Sequence, residues 1–182
     1  MSSTAPPTRF RRALVIGNPI AGAGRGERLA TEMADALTRS GIDAELHLTR
    51  ARGDAAERTA RRDPRVDLVV SVGGDGTLRE VLRGLDDDTL PVAILPLGTA
   101  NVLALDLGLA RNVAGALRTI EGGRTTALDV AEVNGTLSFL VTGIGLDAAA
   151  VAEVERVRRG PISKSTYAWA MLRALRNYRE PQ

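Results

Sequence analysis

The chain has 182 residues, 44% of them hydrophobic and 25% charged, the balance of a globular protein and enough for one domain and part of a second. Its 24 basic and 22 acidic residues leave a formal charge of +2, too close to neutrality to argue for a nucleic-acid partner. The absence of cysteine excludes disulfides and thiolate zinc sites, and His47, the one histidine, sits in a strand-like ELHLT segment and rules out a histidine-based triad. The opening MSSTAPPTRFRR is polar and lacks the apolar core of a signal peptide, so residues 1–11 are expected to be a disordered tail. No run reaches transmembrane length, and the expectation is a cytoplasmic protein.

Arg12 to Ile16 (RALVI) reads as a first strand. It ends in Gly17-Asn18-Pro19-Ile20-Ala21-Gly22-Ala23-Gly24-Arg25-Gly26, and a helical pattern follows with Leu29, Met33, Ala36 and Leu37 on one face. The loop lacks the Gly-Lys-Ser/Thr ending of a P-loop and fits a dinucleotide fingerprint poorly, so a plain turn and a phosphate loop both stay open. Ser40-Gly41 stops the helix, Ala44 to Thr49 reads as a short strand, and Gly53-Asp54 opens a helix that ends before Pro64.

The centre of the chain is VDLVVSVGGDGTLRE, Val66 to Glu80. Its β-branched run reads as a strand buried on both faces of a parallel sheet, followed by Gly73-Gly74-Asp75-Gly76-Thr77 and a helical pattern from Leu78. A strand that turns through glycines straight into a helix aims backbone N–H groups and a helix dipole at one point, which attracts phosphate. Asp75 does not suit phosphate cradling, because a carboxylate repels the anion. It makes sense if Mg²⁺ or a proton to be removed lies between them. A tight strand-to-helix turn is the alternative.

Asp86-Asp87-Asp88 reads as a solvated loop, since consecutive side chains do not converge on a metal. Leu90 to Leu95 is a further apolar strand, running into Pro96-Leu97-Gly98-Thr99-Ala100-Asn101 and a helix from Val102 to Leu107. Ligands of open α/β sheets bind outside the carboxyl ends of the strands, so the loops after these strands converge on one rim. A helix from Val113 to Ile120 precedes a change of pattern near Arg124. There Thr125 to Val133 and Thr136 to Val141 alternate around Asn134-Gly135, a hairpin signal for an antiparallel unit. Gly143-Ile144-Gly145-Leu146-Asp147 leads into a helix from Ala148, then a basic cluster of Arg156, Arg158, Arg159 and Lys164. A last helix, Ser165 to Tyr178, carries Arg173, Arg176 and Arg179 off its apolar face; a solvated face or a peripheral contact with the inner membrane surface both fit. The expected architecture is α/β: an open, mostly parallel sheet with helices on both faces over residues 12–123, followed by the beginning of an antiparallel β-sandwich domain over residues 124–182.

With Asn18-Pro19 and its glycine loop, Thr49 ahead of Gly53-Asp54-Ala55, GGDGTLREV, LGTANVLALDLGL, GRTTALDVAEVN and GIGLDAAAV in order, the chain resembles the diacylglycerol kinase catalytic-domain family, which holds bacterial lipid kinases and sphingosine kinases. NAD kinases and phosphofructokinases share the GGDG turn but lack the Leu97-to-Asn101 element and the hairpin. The resemblance implies a lipid kinase using ATP and Mg²⁺, with the nucleotide against Asn18, Pro19, Thr49, Gly73, Gly74, Asp75, Gly76, Thr77, Leu78, Arg79, Gly98, Thr99 and Asn101. It implies that Asp75 acts on the phosphates through Mg²⁺ or water, and that Glu80 orients the phosphate loop. It places Asp147 toward the lipid head group and Lys164, with Arg158 and Arg159, over the ATP phosphates.

Family members continue for roughly another hundred residues, the size of one more domain, and that portion holds the presumed general base. The resemblance therefore implies a truncated chain, weakly active or inactive alone, because general-base catalysis contributes about 10²–10⁴ in rate. Other readings are a non-catalytic nucleotide- or lipid-binding module completed by a partner chain or in a homodimer, and a GGDG kinase of a soluble substrate such as NAD.

Overall fold

Short aliphatic runs build the sheet: β1 (Arg12–Gly17), β2 (Asp43–Leu48), β3 (Leu68–Gly73) and β4 (Val92–Pro96). The computed structural model describes residues 8–139 and 145–157, with Trp169, Leu172, Arg173 and Arg176 beyond them. The strands pair in the order β2-β1-β3-β4, all parallel. The central β3 is buried at every position, which is why it carries no polar residue except Ser71. The chain divides into two compact units, Met1–Asp129 and Val130–Gln182.

Alternation within β1 assigns the two faces of the sheet. Ala13 and Val15 join Leu68, Val70 and Val72 under α2 (Gly26–Arg39) and α6 (Val113–Glu121), against Met33, Leu37, Val113 and Ile120. Leu14, Ile16 and Val69 face the other way, onto Ala55 of α3 (Asp54–Ala60) and Val81 of α4 (Asp75–Arg83). Right-handed crossovers require this split. The chain leaves β1 through α2 toward β2, then returns through α3 to β3 and continues outward through α4 to β4. The direction reverses between β1 and β3, and their carboxyl ends flank the crevice where open α/β sheets bind ligands. Each large aliphatic side chain fully buried here stabilises the fold by about 1.5–3 kcal/mol.

Local chemistry ends and starts the helices. Gly41, at φ 84°, lets Ile42 N–H return to the Leu37 carbonyl at 3.0 Å and stops α2. Asn112 caps α6, its Oδ1 accepting the Gly115 N–H at 2.8 Å. Residues 8–11 of the expected tail make defined contacts. Thr8 N–H reaches Gly123 O at 2.8 Å, Phe10 packs on the core, and the Asp67 carboxylate accepts the N–H groups of Arg11 and Arg12.

In the second unit, β5 (Ala131–Val133) and β6 (Thr136–Ser138) form an antiparallel hairpin across Asn134-Gly135, both at positive φ. The expected strand from Thr125 begins instead at Ala131, because residues 125–130 have no partner strand among the described residues and Leu128 and Val130 stay exposed. Positions 140 and 141 of the expected second strand lie outside the described residues. α7 (Leu146–Val157) begins two residues before the expected Ala148. Its Glu153 pairs with Arg173 at 2.9 Å, and Arg173 lies over the Trp169 ring, so this arginine of the expected last helix is engaged rather than solvated. No helix among the described residues is long and apolar enough to cross a membrane.

Candidate functional site

The first turn of α4 lies at the reversal point of the sheet. The sequence pattern places the start of this helix at Leu78, whereas the structure starts it at Asp75. Gly74 is extended (φ −100°, ψ −174°), and its carbonyl accepts the first helical bond from Leu78 N–H at 3.1 Å. Asp75, Gly76 and Thr77, which read as turn residues, thus hold the first three helical positions. Among the described residues their N–H groups have no hydrogen-bond acceptor, and no side chain caps the helix. A Cβ on Gly76 would meet nothing within 4 Å, so this end of the helix is open. The half-buried Asp75 carboxylate makes no hydrogen bond or ion pair among the described residues. Leu78 is a correction. Its side chain is 3% exposed and its N–H is spent on Gly74, so it contributes packing rather than a ligand contact.

The loop after β1 is joined to this turn. Asn18 Nδ2 donates to Thr77 Oγ1 at 3.3 Å, while Asn18 N–H binds Val72 O at 3.0 Å and Asn18 Oδ1 accepts from Ile20 N–H at 3.2 Å. Pro19 is half-buried in the turn that follows. α1 (Ala21–Gly24) is a single turn with Gly22 and Ala23 in the left-handed region, and α2 starts against the Asn18–Pro19 backbone with no space to spare. A Cβ on Gly26 would lie 1.8 Å from the Asn18 carbonyl oxygen.

The loop after β4 meets the same turn from the other side. Leu97 N–H extends the ladder to Gly73 O at 2.7 Å, and Gly98 then packs backbone to backbone on Gly74. A Cβ on Gly98 would lie 2.7 Å from Gly74 Cα. Asn101, expected to touch the nucleotide, is 2% exposed and precedes α5 (Val102–Asp106) in a left-handed conformation at φ 48°. Its Oδ1 accepts the Gly98 N–H at 2.8 Å, and its Nδ2 donates to the Gly98 carbonyl. The Asn101 amide and the Gly98 peptide groups therefore bond to one another, and the burial of Asn101 keeps its side chain away from a phosphate. Thr99 stands exposed at the tip with its hydroxyl unbonded among the described residues. Arg111, absent from the sequence-derived set, donates from Nη2 to Gly98 O at 3.4 Å and puts a cation at this turn; no spacing in the sequence signals it.

At the β2 end, Thr49 N–H binds Gly17 O at 2.8 Å, which sets Thr49 beside Asn18. The loop from Thr49 to Gly53 is closed by Asp54, whose carboxylate accepts Arg50 N–H at 2.8 Å and sits 3.1 Å from His47 Nε2. The Arg50 N–H and the imidazole hold the Asp54 carboxyl below the usual carboxylate range against a smaller desolvation effect. His47 is thus a structural partner. Arg79 is exposed and Glu80 half-buried on α4, and Glu80 makes no side-chain bond to the loop it was expected to orient, among the described residues. Asp86 pairs with Arg62 and Asp87 closes a turn on Thr89, consistent with a solvated acidic loop. The side chain of Asp147 and all of Arg158, Arg159 and Lys164 lie outside the described residues.

Because adjacent strands are about 4.8 Å apart, the loops holding Thr49, Asn18, Gly74 and Gly98 span about 14 Å of one rim. The rim offers free N–H groups, one unpaired carboxylate, hydroxyls and an arginine, a set suited to a phosphate chain carrying a cation. A resident metal cage does not fit: the described residues hold no cluster of three or more acidic or histidine groups.

A sequence model of the diacylglycerol kinase catalytic domain matches residues 12–133. The diacylglycerol kinase of Bacillus subtilis (strain 168) is 31% identical over 142 residues, 75% of this chain and 46% of that protein. An uncharacterized protein of Synechocystis sp. is 29% identical over 175 residues, 89% of this chain and 40% of that protein. A crystal structure of a diacylglycerol kinase from Bacillus anthracis str. Sterne superposes with a TM-score of 0.63 at 34% identity, covering 71% of this chain and 46% of that one. The chain spans less than half the length of these relatives. The match runs from the first residue of β1 to the last of β5 and takes in every loop of the rim, and the chain belongs to the diacylglycerol kinase catalytic-domain family.

Proposed function

We propose that this chain carries the nucleotide-binding part of a kinase that transfers the γ-phosphoryl group of ATP to a hydroxyl of a diacylglycerol-like or sphingoid-like lipid. The observation that carries the reading is the open first turn of α4, with unbonded N–H groups at Asp75, Gly76 and Thr77 beside an unpaired carboxylate. Family membership supports it, since the relatives that match include proteins named diacylglycerol kinase.

In this reading the α4 N–H groups hold phosphate oxygens, and the Thr49 and Thr99 hydroxyls, the Asn18 amide, Arg79 and Arg111 line the same path. Asp75 would hold a Mg²⁺ ion brought in with ATP, and that ion would supply charge neutralisation on the phosphates. The lipid hydroxyl attacks the γ-phosphorus in line, its proton passes to a base, and ADP leaves. Such transfers depend mostly on positioning and charge stabilisation, the contributions this rim is built to make. By family resemblance we assign Asp147 to the lipid head group, Lys164 to the phosphates, and residues 124–182 to the start of a second domain. The site then works at a membrane surface, where its lipid substrate resides.

Calorimetric titration with Mg-ATP, followed by phosphate transfer from γ-labelled ATP to diacylglycerol, to a long-chain amino alcohol and to NAD, tests the proposal. Millimolar Mg-ATP that neither binds nor shifts the melting temperature would remove the nucleotide site, and transfer to NAD alone would remove the lipid.

A further inference from the structure

We infer that Asn101 is a positioning residue: its side-chain amide clamps the Gly98 backbone, and through Gly98 it holds Gly74 and the first turn of α4 in the aim that a phosphate ligand needs. The functional consequence rests on the kinase reading above; the clamp itself does not.

Asn101 is held in two unfavourable ways at once. Its backbone is left-handed (φ 48°, ψ 50°), a conformation most residues with a Cβ avoid, and its polar side chain is buried. Both are offset by one arrangement. Oδ1 accepts the Gly98 N–H, and Nδ2 donates to the carbonyl of the same residue, so one side chain satisfies both peptide groups of Gly98. Asparagine is the side chain that both visits the left-handed region readily and offers an acceptor and a donor on one short amide. Aspartate has the acceptor alone, and glycine has the backbone freedom and neither group.

The clamp acts on the site because of what Gly98 touches. A Cβ on Gly98 would lie 2.7 Å from Gly74 Cα and 2.8 Å from Asn101 Oδ1, so amide, Gly98 and Gly74 form one stack without slack. Arg111 Nη2 joins it on the Gly98 carbonyl. Gly74 is the N-cap of α4, and no side chain caps that helix to steady it. The aim of the open N–H groups is therefore set from behind, by the packed Gly98 backbone. Asn101 does this without touching the ligand, which its burial forbids.

The test compares Asn101→Gly with Thr59→Val. Thr59 is equally buried, its hydroxyl donates to Ala55 O in its own helix, and it stands outside the site. Amide hydrogen exchange is read at Leu78, whose N–H bonds Gly74 O, and at Val70 in the core, alongside calorimetric Mg-ATP affinity and thermal midpoint. Asn101→Gly is expected to speed exchange at Leu78 about tenfold or more with Val70 unchanged, and to weaken Mg-ATP by a similar factor. Thr59→Val is expected to lower the midpoint and leave both other readouts alone. If Asn101→Gly does not fold, Asn101→Asp, which keeps the acceptor and loses the donor, is expected to give the same pattern at smaller size. Leu78 exchange and affinity within twofold of wild type in the folded variant would overturn the inference. Should the wild-type chain bind no Mg-ATP, the nucleotide reading fails and Leu78 exchange alone decides the clamp.

Discussion

The side-chain amide of Asn18, at the end of β1, donates to the hydroxyl of Thr77, in the first turn of α4, across 3.3 Å and 59 residues of sequence. This bond ties together the two loops that flank the reversal of the sheet. Thr77 is buried, so replacing it with valine keeps the volume and removes the hydroxyl that accepts from Asn18. Thr77→Val is expected to cost about 0.5–1.5 kcal/mol in urea denaturation. In a double-mutant cycle with Asn18→Ala, the two losses should not add, and their coupling should be of the same size. Additive losses would mean that the bond does not join the loops.

Gly76 allows stability and binding to be driven in opposite directions. It sits at the second position of α4, its exposed face is open, and a Cβ there would meet nothing. Gly76→Ala is expected to stabilise the fold by about 0.5–1 kcal/mol through the unfolded state and helix propensity. The added methyl stands where a phosphate approaches the N–H groups, so Mg-ATP affinity should fall at least about tenfold, one bidentate contact's worth. Gly26→Ala serves as the contrast: with the Asn18 carbonyl 1.8 Å from the new Cβ, α2 must shift, and the expected result is a loss of about 1–3 kcal/mol or more.

Asp54 couples the Thr49 loop to pH. Its carboxyl is lowered below the unfolded value by the Arg50 N–H first and by the His47 imidazole, with Glu57, Arg58 and Arg61 of α3 nearby. A depressed folded pKa means that the unfolded chain binds the proton more readily. The contribution is therefore present above the unfolded value of about 3.9 and is lost as pH falls through the folded one. Wild type should keep protection of the Arg50 amide down through the unfolded value and lose it only as pH falls through the lowered folded one. Asp54→Asn should show a flat profile there, with the rest of the acid limb kept by Asp63, Asp86 and Asp87, which are lowered in the same direction by Arg65, Arg62 and Thr89.

Which features could be read from the sequence follows from where the determining contacts lie. Buried parallel strands are contiguous aliphatic runs, so β1, β3 and β4 and the glycines at their ends announce themselves, and with them the rim. The start of α4 was hidden because Asp, Gly and Thr are turn residues by composition yet suit the first helical turn equally well. Asn101 reads as a ligand because it belongs to the LGTAN element of the resemblance; in the structure its backbone is left-handed and its amide bonds Gly98, which itself packs on Gly74. The strand expected from Thr125 alternates as a strand should, but alternation needs a partner, and the described residues pair it only from Ala131. Arg111 reaches the rim through a loop whose path no local pattern encodes.

Asp75 separates a metal role from a helix-capping one. It occupies the first position of α4, where a carboxylate is favourable to the helix dipole even with no ligand, worth about 0.3–1 kcal/mol. Asp75→Asn should therefore lower stability by no more than that. Its effect on nucleotide binding depends on the cation. Without Mg²⁺ the carboxylate of wild type faces a bare polyphosphate and repels it, so Asp75→Asn should bind ATP as well as wild type or better. With Mg²⁺ present the same carboxylate meets the cation, and the substitution should weaken binding and depress any turnover. The quantity to measure is the ratio of ATP affinities with and without Mg²⁺, by calorimetry on each protein. That ratio is expected to exceed about ten in wild type and to fall toward one in Asp75→Asn. An unchanged ratio would leave Asp75 as a helix-starting residue, and the cation would then have to be held by the phosphates alone.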